Sequence, residues 1–310
     1  MRHLVVTVCA LIAVNAFAAE PWFLPYEADE DTLLLLHLDA EVAEQPDAGP
    51  LDLPTSFAKG AESTEGVFGR AAYLDGNGQH IRVDDSDPLR FGVDEPFTIE
   101  CWLRPDSGDG TIFSVTINYY LNAHFGRGTA GFGYRAESFP IRFSTLAGIP
   151  WRRRQWQHVA VTHDSDRVAR LYLDGRLVSQ THHGDEGTYT EKTGKTVFGS
   201  HDGWRAHLRG AIDEIRISRG IREFQPLLTE RVYLAGEQVR LDLAAVDLPE
   251  AVASIRVTLI AASGDQVAER ELPVAQAASP IAPAADLGQG QARADVRFLE
   301  VSMDRGMSRF

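Results

Sequence analysis

Three stretches in the middle of the chain alternate apolar and polar residues with a period of two. They run from Phe97 to Pro105, from Trp156 to Thr162 and on through Leu171 to Val178, and from Leu208 to Ser218. Successive side chains on a strand point to opposite faces, so this pattern buries one face and wets the other. An amphipathic helix would need apolar residues three and four apart, and no long stretch has that period. Further strands are expected at Leu33 to Asp39, in Gly66 to Asp75, at Gln79 to Val83, Thr111 to Val115, Gly131 to Tyr134, Ile141 to Ser144 and Thr196 to Gly199. Asp75-Gly76-Asn77-Gly78 reads as a tight turn, because both dipeptides favour positive φ. Asn118 to Phe125 fits no pattern. Many short strands joined by Gly and Asp turns specify an all-β sandwich.

Taken in order, the three stretches resemble bacterial laminin-G-like domains of the concanavalin A-like lectin/glucanase superfamily. The resemblance implies a concanavalin A-like jelly-roll β-sandwich over residues 29–224, in a family that is mostly binding domains rather than enzymes. Beyond Pro226 the text changes. Val232 to Leu243, Ala253 to Ile260, Asp265 to Leu272 and Ala292 to Val301 again alternate. They read as a smaller immunoglobulin- or fibronectin-like β domain over residues 229–310, with fewer strands than the roughly seven of a complete module. Either that module is reduced, or it takes a strand from a partner, or the chain is a fragment.

At the other end, Met1-Arg2-His3 precedes an apolar run from Leu4 to Phe17 and a small-residue site at Ala18-Ala19. This is the pattern of a secretory signal peptide over residues 1–18, too short to span as a mature helix. The expectation is a secreted, periplasmic or cell-surface protein that does not span the membrane once cleaved. Glu20 to Pro25 reads as a loose leader. Removal of the signal leaves Cys101 as the only thiol, in step with Phe97, Ile99 and Leu103 and so facing the interior. Burial rather than a disulfide must then supply stability.

Charge narrows the partners. Acidic residues number 44 against 30 basic, a formal net of −14, which argues against nucleic acid or anionic lipid as the main partner. The basic residues are nearly all Arg, with Lys only at Lys59, Lys192 and Lys195. Arg152-Arg153-Arg154, between Trp151 and Trp156, admits two readings. One is a grip on a sulfated or carboxylated polysaccharide through bidentate contacts; the other is a solvated loop entering a strand.

Enzymatic readings lack their residues. Glucanases of the superfamily carry Glu-x-Asp-x-x-Glu on one strand, so that nucleophile and general acid share a face. Here Asp213 and Glu214 are adjacent, which sends them to opposite faces, and Arg216 takes the next polar position. No Gly-x-Ser-x-Gly elbow or phosphate-binding Gly-rich loop is present. His158, His163, His182, His183, His201 and His207 lack the spacing of a zinc hydrolase and read as surface or edge histidines.

Asp213 shares parity with Ala211, Ile215 and Ile217, so it is expected to point into the packed interior. A carboxylate there must be hydrogen-bonded, paired or metal-bound. The resemblance implies a calcium ion at the rim, for which Asp213, Asp75 and Asn77 are the expected ligands; a hydrogen bond to backbone N–H or to an Arg is the other reading. For sugar binding, Trp102 lies among Thr98, Glu100 and Arg104, opposite the apolar face, and reads as a platform or as second-layer packing. Trp204, followed by Arg205 in a turn before a strand, is the other aromatic candidate. The expected partner is a polysaccharide or other glycan, or an extracellular protein, bound without catalysis. A structural or interaction module of an envelope assembly is the second reading and a carbohydrate-active enzyme the third.

Overall fold

A computed structural model describes residues 24–40, 44–84, 87–92, 94–106, 108–115, 119–134, 142–182, 195–224, 226, 254–260, 266–273 and 298–300. In chain order the early strands are β1 (Thr32–Leu36), β2 (Glu44–Gln45), β3 (Thr55–Ala58), β4 (Glu62–Glu65), β5 (Arg70–Asp75) and β6 (His80–Val83). The middle ones are β7 (Phe97–Pro105), β8 (Asp109–Val115), β9 (Tyr119–His124), β10 (Thr129–Tyr134) and β11 (Arg142–Ala147). Then come β12 (Gln157–His163), β13 (Val168–Leu173), β14 (Arg176–His182), β15 (Thr196–Phe198) and β16 (Arg209–Arg219). One sheet has the order β14-β13-β12-β7-β16-β5-β4, with β1 also on β16; the other has β11-β10-β9-β8-β15-β6-β3-β2. No described residue lies in an α-helix, and none forms a helix long and apolar enough to cross a membrane.

The inner faces meet in one apolar core. Phe97, Ile99, Cys101 and Leu103 of β7 and Ile212, Ile215 and Ile217 of β16 pack in it with residues such as Phe113, Leu121, Phe132 and Phe198 of the second sheet. β7 obeys its alternation along its whole length. β16 does not. Asp213 lies opposite Trp102 and Arg216 opposite Glu100, so two residues face one and the strand bulges at Glu214, whose φ is +46°. The bulge resets parity: Ile212, Ile215 and Ile217 all reach the core, and Asp213 goes to the outer side of the sheet with Trp102. The inward orientation expected for Asp213 is therefore corrected.

Other expectations change at turns. Leu171 to Val178 is not one strand, because Asp174 (φ +49°) and Gly175 (φ +73°) fold it into the hairpin between β13 and β14. The Asp75–Gly78 turn does have positive φ at Gly76 and Gly78, but it joins β5 of one sheet to β6 of the other rather than pairing them. Asn118 to Phe125 contains β9. The leader is not loose from Leu24 onward: Leu24 and Tyr26 are buried against the outer side of the first sheet.

In the tail, β17 (Ser254–Ile260), β18 (Gln266–Pro273) and β19 (Phe298–Glu300) form an antiparallel sheet in the order β18-β17-β19. The strand expected in Val232 to Leu243 and the signal peptide over residues 1–18 lie outside the described residues.

Candidate functional site

The outer side of the first sheet is polar in sequence yet closed to water. Glu100 of β7, His158 of β12 and Arg216 of β16 stand side by side on neighbouring strands, all 2% exposed or less. The Glu100 carboxylate accepts Arg216 Nε–H at 2.8 Å and Nη2–H at 2.7 Å on one oxygen, and meets His158 Nε2 at 3.0 Å with the other. Burial would raise Glu100, but the Arg216 charge and the His158 hydrogen bond outweigh it and hold the carboxyl at about 2. The Tyr26 ring covers this layer, 4.4 Å from the Arg216 guanidinium, while Phe224 packs by His158.

β16 leaves a gap on its free side, with β5 along its first half and β1 along its second. Asp213 and Glu214 sit at that gap. Asp213 Oδ2 accepts the backbone N–H groups of Val67 (2.7 Å) and Phe68 (3.2 Å), and Oδ1 accepts that of Glu214 (2.9 Å). Glu214 accepts Tyr26 N–H at 3.0 Å and meets His37 Nδ1 at 2.9 Å. Burial pushes both carboxyls up, with Glu214's own charge raising Asp213 further, and the Glu214 hydrogen bond raises His37. The pair staples the loop before β5 and the leader to the sheet.

The expected calcium ligands do not come together. Arg209 is the partner of Asp75 in the β5–β16 register, and Asp213 lies four residues further along, about 13 Å away at strand rise. Asp75 instead accepts the Asn77 N–H at 2.7 Å, an Asx turn, and Asp213 spends its oxygens on backbone amides. Among the described residues no group of three or more His, Cys, Asp or Glu is arranged to hold a metal ion.

Burial decides between the two readings of Trp102, in favour of second-layer packing, and corrects that of two histidines. Trp102 is 7% exposed, edge-on to Phe68 at 6.2 Å and to His158 at 6.0 Å, so it offers no face to a sugar. His158 and His163 are interior rather than surface residues. His163 stacks on Phe97 at 5.1 Å, and burial lowers it to about 4.

The second sheet carries the open feature. Between β15 and β16, Asp202 (φ +58°), Gly203 (φ +81°) and Trp204 form a three-residue hairpin loop closed by the antiparallel pair His201–Arg205, with His201 N–H to Arg205 O at 2.9 Å and the inner turn bonded by Trp204 N–H to His201 O at 3.3 Å. The turn is clamped to the sheet beneath it. Ser114 Oγ–H donates to Asp202 at 3.1 Å, the Tyr120 ring meets His201 edge-on at 4.5 Å, and Gly203 lies against His80. Burial lowers His201 although the Asp202 charge opposes it. Trp204 projects from this clamp with 68% of its surface exposed, the largest exposure of any large apolar side chain described. The Arg205 guanidinium lies 4.8 Å from the ring centre, over one face. The structure thus brings Trp204 and Arg205 together and removes Trp102 from the set. Tyr120 and His201, which underpin the turn, carry no sequence signal of that role beyond the unplaced segment and the Asp-Gly dipeptide.

Residues 75–223 match the third laminin-G family model, described as the concanavalin A-like lectin/glucanases superfamily. Among solved structures, the binding domain of Paraclostridial Mosquitocidal Protein 1 is similar at TM-score 0.51 and 11% identity, over 90% of this chain and 69% of that one. The botulinum neurotoxin serotype G binding domain is similar at TM-score 0.50 and 10% identity, over 78% of this chain and 62% of that one. Domain 4 of AbnA, a GH43 extracellular arabinanase from Geobacillus stearothermophilus solved with arabinotriose, gives 0.49 and 18% identity, over 62% of this chain and 94% of that one. No curated protein sequence matches. The first two similarities speak to the fold alone. Over residues 75–223 the chain is thus similar to the laminin-G-like domains of the concanavalin A-like lectin/glucanase superfamily.

Proposed function

We propose that this is an exported recognition protein whose laminin-G-like sandwich holds a glycan, without catalysis, on the Trp204–Arg205 turn. The observation that carries the reading is an exposed indole on a hydrogen-bonded hairpin loop, with the Arg205 guanidinium over one face. A rigid aromatic ring orders few torsions on stacking, and its open face suits the apolar side of a pyranose or furanose ring. Arg205, half exposed, supplies planar donors for hydroxyl or acidic groups at the same place. Support for a non-catalytic role comes from the acids. Glu100, Asp213 and Glu214 are buried and each is committed to a partner, so none faces an open groove as a glycosidase pair must. Export rests on residues 1–18, and the tail from residue 229 acts as an accessory or spacer module.

The test is a glycan array probed with the mature protein and with Trp204→Ala. The expected result is binding to a glycan that falls tenfold or more in the variant, about 1.4 kcal/mol, with the melting temperature unchanged. Silence across the array would favour a protein partner instead. Release of reducing ends from any polysaccharide would refute the non-catalytic reading.

A further inference from the structure

We infer that the end of the sandwich adjoining the Trp204 turn is a cationic seat for an acidic glycan, a polymer bearing carboxylate or sulfate groups. The inference rests on the glycan-binding reading and names its ligand class.

Arginines from three distant segments meet at this end. Arg104 lies near the end of β7, Arg209 opens β16, and Arg152, Arg153 and Arg154 form the turn before β12. Hydrogen bonds make the surface continuous. Arg154 N–H donates to Pro105 O at 2.6 Å, Asp106 N–H to Arg209 O at 2.9 Å, and Arg153 Nε–H to Asp106 O at 3.3 Å. Gly110 packs on Leu208, and Thr111 N–H donates to Ala206 O at 2.9 Å, which joins the patch to the turn carrying Trp204 and Arg205.

Arginines are in slight excess here, unlike in the chain as a whole: six (104, 152, 153, 154, 205 and 209) stand with five aspartates (75, 106, 109, 174 and 202) on these segments of a protein of formal net charge −14. Arg152 is paired with Asp174. Asp106 accepts the Tyr73 hydroxyl at 2.9 Å, and Asp75 closes its own turn. Arg104 lies over the Trp156 ring at 5.1 Å, and Arg153, Arg154 and Arg209 are exposed; none of these four forms an ion pair among the described residues. Arg153 gives its Nε–H to Asp106 O and Arg209 is hydrogen-bonded to Tyr73 beside the Asp106 and Asp75 charges, so it is their remaining N–H groups, with those of Arg154, that face a planar anion.

Arg154 itself is exposed, with φ +60° and its backbone amide bonded to Pro105 O. The solvated-loop reading of Arg152-Arg153-Arg154 explains the exposure, but not the convergence with Arg104 and Arg209.

The experiment measures binding of the mature protein to polygalacturonate, dextran sulfate, neutral arabinan and a duplex DNA fragment, at about 50 and about 300 mM salt. Variants are Arg153→Gln/Arg154→Gln, Arg209→Gln and Trp204→Ala, each checked for an unchanged melting temperature. The inference predicts binding to polygalacturonate or dextran sulfate that weakens with salt and drops tenfold or more in the arginine variants. The two acidic probes distinguish a carboxylate from a sulfate ligand. Binding to arabinan alone, lost in Trp204→Ala, would overturn the acidic class while leaving the glycan reading intact. Acidic binding indifferent to the arginine variants, or matched by DNA, would also overturn it. No binding to any polysaccharide would remove both.

Discussion

Arg216→Met removes the guanidinium that neutralises Glu100 inside a layer closed to water. The side chains are 2% and 0% exposed, and two N–H groups reach one carboxylate oxygen at 2.7–2.8 Å. Breaking a buried pair from one side leaves an uncompensated charge, which costs about 3–5 kcal/mol. The pH dependence sharpens the expectation. In the native chain Glu100 is held at about 2, below its ordinary value near 4.5, so its contribution is complete above pH 4.5 and is lost as pH falls towards 2. Without Arg216 the largest downward pull on Glu100 is gone and burial pushes the carboxyl up, so falling pH costs the variant less than the native chain. The deficit of Arg216→Met should therefore be greatest at pH 7 and shrink towards pH 4. Glu100→Gln added to Arg216→Met should recover much of the loss, since no charge is then stranded. Urea denaturation at several pH values reads both effects. A loss below about 1 kcal/mol, or a deficit that does not change with pH, would refute the reasoning.

Tyr26→Ala should cost about 3–5 kcal/mol, as for other buried aromatics, and should expose the segment around residue 26 to proteolysis; a surface-like loss of about 0.5 kcal/mol would mean the leader is not docked. His163, lowered to about 4 by burial, contributes stability above pH 6.5 that is lost as pH falls towards 4. His163→Phe should flatten that part of the stability profile, and an unchanged slope would contradict it. Asp213→Asn should cost less than Asp213→Ala, because an amide oxygen still accepts from the Val67 and Phe68 N–H groups while alanine strands them at about 1–3 kcal/mol. A calcium-dependent rise in melting temperature that disappears in Asp213→Ala would restore the metal reading.

The strands that were legible are those whose alternation is local. Phe97, Ile99, Cys101 and Leu103 are in step, and β7 occupies the expected residues. In β16 the three-residue step from Ile212 to Ile215 marked a bulge, but reading strict parity hid it and misdirected Asp213. β9 was missed because Tyr119 and Tyr120 are both large; one enters the core and the other covers the outer face under His201. Burial of Trp102 and His158 depends on Tyr26, Phe68 and Phe224, which approach from far along the chain, and no local pattern encodes that cover. Trp204 was legible because Asp202-Gly203 announces a turn, and a turn tip is where an indole stays exposed.

Collisional quenching of tryptophan fluorescence tests the central claim most directly, with Trp204→Phe as the reference that isolates the exposed indole. In the free protein, iodide or acrylamide should quench a component that is absent from Trp204→Phe, and a saturating glycan should protect that component. A glycan that binds at full occupancy while leaving it as accessible as before would contradict the account.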